Sequence, residues 1–218
     1  LQLSKGPKVV VIGGGTGLSV MLRGLKAKTY NLTAVVTVAD DGGSTGRIRQ
    51  DLDIIAPGDL RNCLVALADK EGLMEKLFAH RFGGSGNLTG HSFGNLFIAA
   101  LIEVLGDVEE AMDATSKVLR VRGKVIPSSA EKLRLNAEMT DGRIVEGESQ
   151  IPHAHGKIKR VFTTPEHPRA IQSAVDAIRE ADAIVLGPGS LYTSIMPNLC
   201  VPDILAADRT SKEPKNYI

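Results

Sequence analysis

The sequence predicts an α/β protein: a Rossmann-like, mostly parallel sheet with helices on both faces and a small antiparallel β excursion. Three observations predict it. Residues 9–12, Val-Val-Val-Ile, form a β-branched run that empties into Gly13-Gly14-Gly15-Thr16-Gly17, after which Leu18, Met21, Leu22 and Leu25 recur at helical spacing. A second apolar run, residues 183–186, empties into Gly187-Pro188-Gly189-Ser190 in the same way. Between them, over residues 132–160, short alternating runs with a turn signal at Asp141-Gly142 replace the helical period. The 218 residues read as one domain, with the excursion at about residues 124–163.

The remaining elements follow from pattern and punctuation. Residues 32–38 read as a second strand, ending in a loop over residues 39–46 that carries Asp40 and Asp41. Pro57-Gly58-Asp59 opens a helix with Asp59 as its N-cap, leaving Arg61 and Asn62 exposed in the first turn. Residues 73–82 read as helix and residues 83–87 as a glycine-rich loop. His91-Ser92-Phe93-Gly94-Asn95 then leads into an apolar helix over residues 96–105, and residues 108–119 form an amphipathic one. Gly123 ends that pattern before Lys124. Residues 169–179 return to helix, and Asn216-Tyr217-Ile218 reads as the opening of another strand.

Composition narrows the function classes. With 26 Lys and Arg against 25 Asp and Glu, the formal charge of +1 gives no global field for nucleic acid or an anionic membrane, so anion binding must be local. Aromatics are 4% and Trp is absent, which argues against stacking platforms for single strands. The longest apolar run, residues 96–102, falls far short of the ~20 residues of a spanning helix, so no membrane insertion is expected. Cys63 and Cys200 have no metal-type spacing, and the first seven residues lack a basic region, an apolar core and a cleavage site. A cytoplasmic, reducing location is the expectation.

The two glycine loops are candidate phosphate cradles. Glycines let a ligand approach the backbone, and the first free N–H groups of the following helix add donors and a positive dipole end. Gly13, Gly14, Gly15, Thr16 and Gly17 would form one half, and Gly187, Gly189, Ser190 and Thr193 the other. The first loop departs from the dinucleotide fingerprint, because Leu18 stands where the third glycine belongs, and it lacks the Lys-Ser/Thr pair of a P-loop. A plain strand-to-helix turn is the competing reading of each loop.

Asp40 and Asp41 admit three readings: an acid on a ribose hydroxyl, ligands for Mg²⁺ facing the phosphates, or turn acids. Arg61 could pair with a phosphate. Asn62 offers an amide to the ligand from the same helix start, and His91, Ser92 and Asn95 could contact base or sugar, or merely cap a helix. His153 and His155 have strand spacing, yet no third metal ligand lies near them in sequence.

Six motifs in one order resemble the gluconeogenesis-factor family: Gly13-Gly-Gly-Thr-Gly17, Asp40-Asp-Gly-Gly-Ser-Thr-Gly46, Pro57-Gly-Asp-Leu-Arg-Asn62, His91-Ser-x-Gly-Asn95, Arg122-Gly-Lys-Val125 and Gly187-Pro-Gly-Ser-Leu-Tyr-Thr-Ser194. This family lies in the superfamily of 2-phospho-L-lactate transferase, and the resemblance covers essentially the whole chain. It implies a Rossmann-like sheet that binds a nucleotide sugar, UDP-N-acetylglucosamine or UDP-glucose. It implies a cytoplasmic protein needed for growth and cell shape on gluconeogenic carbon, with regulatory protein partners and a homo-oligomeric form as further expectations. It also implies that the family fold continues past Ile218. Two alternatives stand beside it. One is a Mg-dependent phosphotransferase of the phospholactate type, with Asp40, Asp41 and Arg61 as catalytic candidates. The other is an NAD-binding protein.

Overall fold

A computed structural model describes residues 6–69 and 72–218. The reading that no secretory leader opens the chain rests mostly on residues 1–5, which lie outside the described residues. The chain runs β1 (Val9–Gly13), α1 (Gly15–Leu25), β2 (Leu32–Val36), α2 (Gly43–Leu52), α3 (Gly58–Leu67), α4 (Leu73–Ala79), α5 (Phe93–Leu105), α6 (Val108–Leu119) and β3 (Lys124–Pro127). It continues through β4 (Arg134–Met139), β5 (Ile144–Glu146), β6 (Ile158–Thr164), α7 (Gln172–Arg179), β7 (Ala183–Leu186), α8 (Met196–Leu199), α9 (Pro202–Thr210) and β8 (Lys215–Tyr217).

The main sheet has the order β3-β2-β1-β7-β8, and every neighbouring pair in it is parallel. Strands covered on both faces need apolar side chains in both directions, which Val10, Val11, Ile12, Val35, Val36, Ile184 and Val185 supply, all buried. Right-handed crossovers put α1 and α3 on one face, where they pack together, and α7 and α9 on the other. The register levels the strand ends: Gly13 pairs with Val36, Val36 with Pro127, and Ile12 with Leu186. All the following loops therefore leave from one rim.

From β1 the chain winds outward to β2 and β3, and then returns to the other side of β1 as β7. The strand order therefore reverses between β1 and β7, the place where open parallel sheets take ligands. Both glycine loops flank it.

Several boundaries differ from expectation. The excursion is the antiparallel sheet β5-β4-β6, spanning residues 134–164, while residues 124–127, expected at its start, are β3 of the parallel sheet. Val125 and Ile126 are buried there, and two β-branched residues suffice for a short internal strand. The loop expected over residues 39–46 ends at Gly42, because α2 begins at Gly43. Its Gly-Ser-Thr-Gly start reads as turn chemistry, but packing against α5 outweighs propensity, with Ile48, Ile54 and Ala99 forming a separate small core. The second strand stops at Val36, the fourth helix at Ala79, and the helix expected from residue 96 starts at Phe93. Gly142 takes the left-handed conformation (φ 87°) that the β4–β5 turn requires.

Candidate functional site

The two glycine loops touch. A Cβ placed on Gly17 would lie 3.2 Å from the Pro188 carbonyl oxygen, and one on Gly189 would lie 3.3 Å from that of Gly14. Asn198, buried at the end of the second loop's turn, donates Nδ2 to the Gly13 carbonyl (3.1 Å) and to the Ser194 carbonyl (2.9 Å). The loop from β1 and the turn after β7 are thus held in one register. Sequence reading missed Asn198, since nothing in a Met-Pro-Asn-Leu stretch signals that its amide reaches back 185 residues.

Thr16 and Ser190 are exposed at the openings of their helical turns, while Thr193 is buried. Gly15 starts α1 with φ 71° after an extended Gly14. The N-cap Gly14 supplies no side-chain acceptor, and the Gly15 N–H instead donates to the Asp59 carboxylate at 2.7 Å. That corrects the expected role of Asp59. It lies inside α3, whose N-cap is Pro57, and its carboxylate serves the first turn of another helix. Burial pushes the Asp59 carboxyl up to about 6; the Gly15 hydrogen bond opposes the rise and the Asp40 charge adds to it.

The β2 loop completes the rim. Asp40 Oδ1 accepts from Gly42 N (2.9 Å), closing its own turn, and Asp41 Oδ1 accepts from Ser149 N (2.8 Å) in the excursion. The two neighbouring carboxylates are therefore anchored to separate backbone segments. Arg49 fixes the same loop by donating to the carbonyls of Asp40 (2.9 Å) and Leu133 (2.7 Å).

Asp41 pulls the turn after β5 over the rim, and that turn brings Glu148 to the second glycine loop, where the Thr193 hydroxyl donates to it. Burial pushes the Glu148 carboxyl up to about 7, and the charges of Asp40, Asp41 and Asp59 push the same way against the Thr193 hydrogen bond. Glu148 was missed in the sequence, because it belongs to no motif and its neighbours Gly147 and Ser149 read only as turn.

Arg61 departs most from expectation. It is buried, not exposed, and its guanidinium donates to Ser92 Oγ (2.5 Å) and Asn62 Oδ1 (2.6 Å). A guanidinium taken out of water needs such partners, and here they come from both polar motifs that flank it. Burial and the nearby Arg81 lower its pKa. Ser92 is the N-cap residue of α5 but makes no side-chain capping bond, and Asn95 lies inside that helix. Ser92 Oγ donates to the Phe78 carbonyl (3.1 Å), and Asn95 Nδ2 reaches Ser44 Oγ (3.4 Å), which also lies 3.2 Å from His91 Nδ1. These side chains join α2, α3 and α5 beneath the rim. His153 and His155 are exposed, and no group of three His, Cys, Asp or Glu among the described residues is arranged to hold a metal. No helix among the described residues is long and apolar enough to cross a membrane.

A doubly wound sheet with two abutting glycine loops at its switch point defines a Rossmann-like α/β protein. The chain belongs to the family described as 2-phospho-L-lactate transferase CofD, which matches residues 9–218. It is 58% identical over 198 residues to the gluconeogenesis factor of Bacillus subtilis, covering 91% of this chain and 62% of that one. It is 56% identical over 214 residues to that of Halalkalibacterium halodurans, covering 98% of this chain and 66% of that one. A crystal structure of a Bacillus halodurans protein superposes with a TM-score of 0.95 at 55% identity, over 98% of this chain and 68% of that one. The chain thus spans less than two thirds of the length of these two named relatives.

Proposed function

We propose that the chain is the nucleotide-binding part of a gluconeogenesis factor and holds a UDP-sugar, UDP-N-acetylglucosamine or UDP-glucose, by its diphosphate. One observation carries this reading: two glycine loops from adjacent strands abut at the switch point, tied by Asn198, so that a two-phosphate group can meet both at once. Gly13, Gly14, Gly15, Thr16 and Gly17 face one phosphate, and Gly187, Gly189, Ser190 and Thr193 the other. Asp40, whose carboxylate lies against Gly58 at the start of α3, is the acid for a sugar or ribose hydroxyl. Asn62 and Asn95 act from beneath the rim, where they hold Arg61 and Ser44. The relatives' name supports a role in gluconeogenesis, and we extend this to growth and cell shape on gluconeogenic carbon, in the cytoplasm, with regulatory partners reading the ligand state.

A second reading, phosphoryl transfer assisted by Mg²⁺, draws on the family description and on the crowded carboxylates. Asp40 and Asp41 each spend one oxygen on a backbone N–H and keep the other, and no third His, Cys, Asp or Glu among the described residues joins them, so they would hold Mg²⁺ only together with ligand phosphates and water.

Calorimetry of UDP-glucose, UDP-N-acetylglucosamine, NAD and GTP, with Mg²⁺ and with EDTA, tests the proposal. A UDP-sugar is expected to bind tighter than NAD, and Gly15→Val is expected to lose binding. A lower dissociation constant for NAD overturns the assignment.

A further inference from the structure

Neither glycine loop carries a cation. From residue 13 to residue 22 and from residue 187 to residue 199 there is no Lys or Arg. Each loop instead gives a donor to a carboxylate: the Gly15 N–H to Asp59 and the Thr193 hydroxyl to Glu148. The charge of Asp40 acts on both of these acids and that of Asp41 on Glu148, so carboxylate charge gathers at the cradle. The nearest guanidinium groups are turned to other work, Arg61 on Ser92 and Asn62, Arg49 on carbonyls of the β2 loop and of Leu133. They offset part of the acid charge from behind without offering a fork to an incoming phosphate.

Such a cradle favours anions of low charge density. Backbone dipoles stabilise a phosphate that bears one charge, while fixed carboxylates oppose a terminal phosphoryl group, which carries about −1.5 to −2 at neutral pH. A diphosphate esterified at both ends has no such terminal group. We propose that Asp59 and Glu148 are specificity-determining residues that select diphosphate diesters, the class of nucleotide sugars and dinucleotides, against nucleotides that end in a free phosphoryl group. Specificity here comes from a repulsive element as much as from an attractive one. This inference rests on the diphosphate reading of the two loops.

Calorimetry on the full-length protein at alkaline pH in EDTA, with UDP-glucose, UDP and UTP as probes, tests it. The wild type is expected to bind UDP-glucose at least about tenfold tighter than UTP, with UDP between them. Asp59→Asn with Glu148→Gln keeps an oxygen for Gly15 and for Thr193 while removing both charges. This pair is expected to tighten UTP by about tenfold and to change UDP-glucose by less than about threefold. Circular dichroism melts and the single variants separate loss of fold from loss of selection. A wild type that binds UTP as tightly as UDP-glucose, or variants that shift all three probes equally, overturns the inference while leaving the diphosphate site standing. If none of the probes binds the wild type, the diphosphate reading itself fails and carries this inference down with it.

Discussion

Asn198 and Gly13 are joined by a buried hydrogen bond of 3.1 Å, 185 residues apart in sequence, and the same Asn198 amide holds Ser194. One side chain therefore sets the spacing between the end of β1 and the turn after β7. Replacing it with Leu keeps the branched shape at a larger volume and removes the donor to the Ser194 carbonyl, while Gly13 O retains Thr37 N at 3.0 Å. Leaving a buried acceptor unpaired costs on the order of 1–3 kcal/mol, and urea unfolding of Asn198→Leu should show a loss of that size. Asn198→Asp should lose more, since a carboxylate would face two carbonyls. A stable Asn198→Leu protein with unchanged ligand affinity would show that the loops need no such tie.

Gly14 tests how tightly the first loop is built. Its backbone is extended (φ −173°), so any residue could adopt it, and the constraint is space. An added Cβ would lie 2.5 Å from Thr37 Cγ2 and 2.7 Å from Asp59 Oδ2. Gly14→Ala must therefore push Asp59 away from Gly15. Overpacking of this kind costs roughly 1–3 kcal/mol, and the Tm should fall accordingly. An unchanged melting curve would mean that Asp59 moves freely.

The hydroxyls at the two helical openings offer a subtler test. Thr16 and Ser190 are exposed, sit on different loops and share no partner. Thr16→Ala and Ser190→Ala should each weaken UDP-sugar binding modestly and leave stability within about 0.5 kcal/mol. The double variant should lose more affinity than either single one, because both ends of one diphosphate are affected. If Ser190→Ala has no effect in either background, the second loop does not hold the ligand through its hydroxyl.

Much of the fold was legible because periodicity and glycine punctuation are local signals. The strand at residues 183–186 and the helix at residues 108–119 fall where the pattern put them. The start of α2 was not legible, since Gly-Ser-Thr-Gly opens a helix only once Ile48 and Ile54 are buried against Ala99. Within the site, backbone donors were readable from the glycines, whereas the partners of side chains were not. Arg61 looked exposed because a helix start usually faces water, and only the packing of α3 beneath α5 buries it beside Ser92. Asp59 read as a cap of its own helix, yet it serves Gly15 of another, 44 residues back. Such relations depend on tertiary distance, which spacing in one chain does not encode.

The raised carboxyls of Asp59 and Glu148 set the sign of a pH effect. In the folded protein they bind protons up to about 6 and about 7, above their ordinary values of 3.8 and 4.5. Between those limits the native state holds more protons than the unfolded state, so stability falls as pH rises. Their neutral forms are tolerated below the ordinary values, and that tolerance is lost as pH passes through 6 and 7. Asp59→Asn and Glu148→Gln should therefore stabilise the ligand-free protein, and the gain over wild type should grow between about pH 5 and pH 8. For Asp59 the increase should be on the order of 1 kcal/mol after allowance for screening by solvent at the rim. Urea unfolding of the single variants at both pH values reads it directly. Variants that are less stable than wild type at the higher pH would mean that the carboxylate charges hold the loops together, and that the hydrogen bonds to Gly15 and Thr193 outweigh the burial of charge.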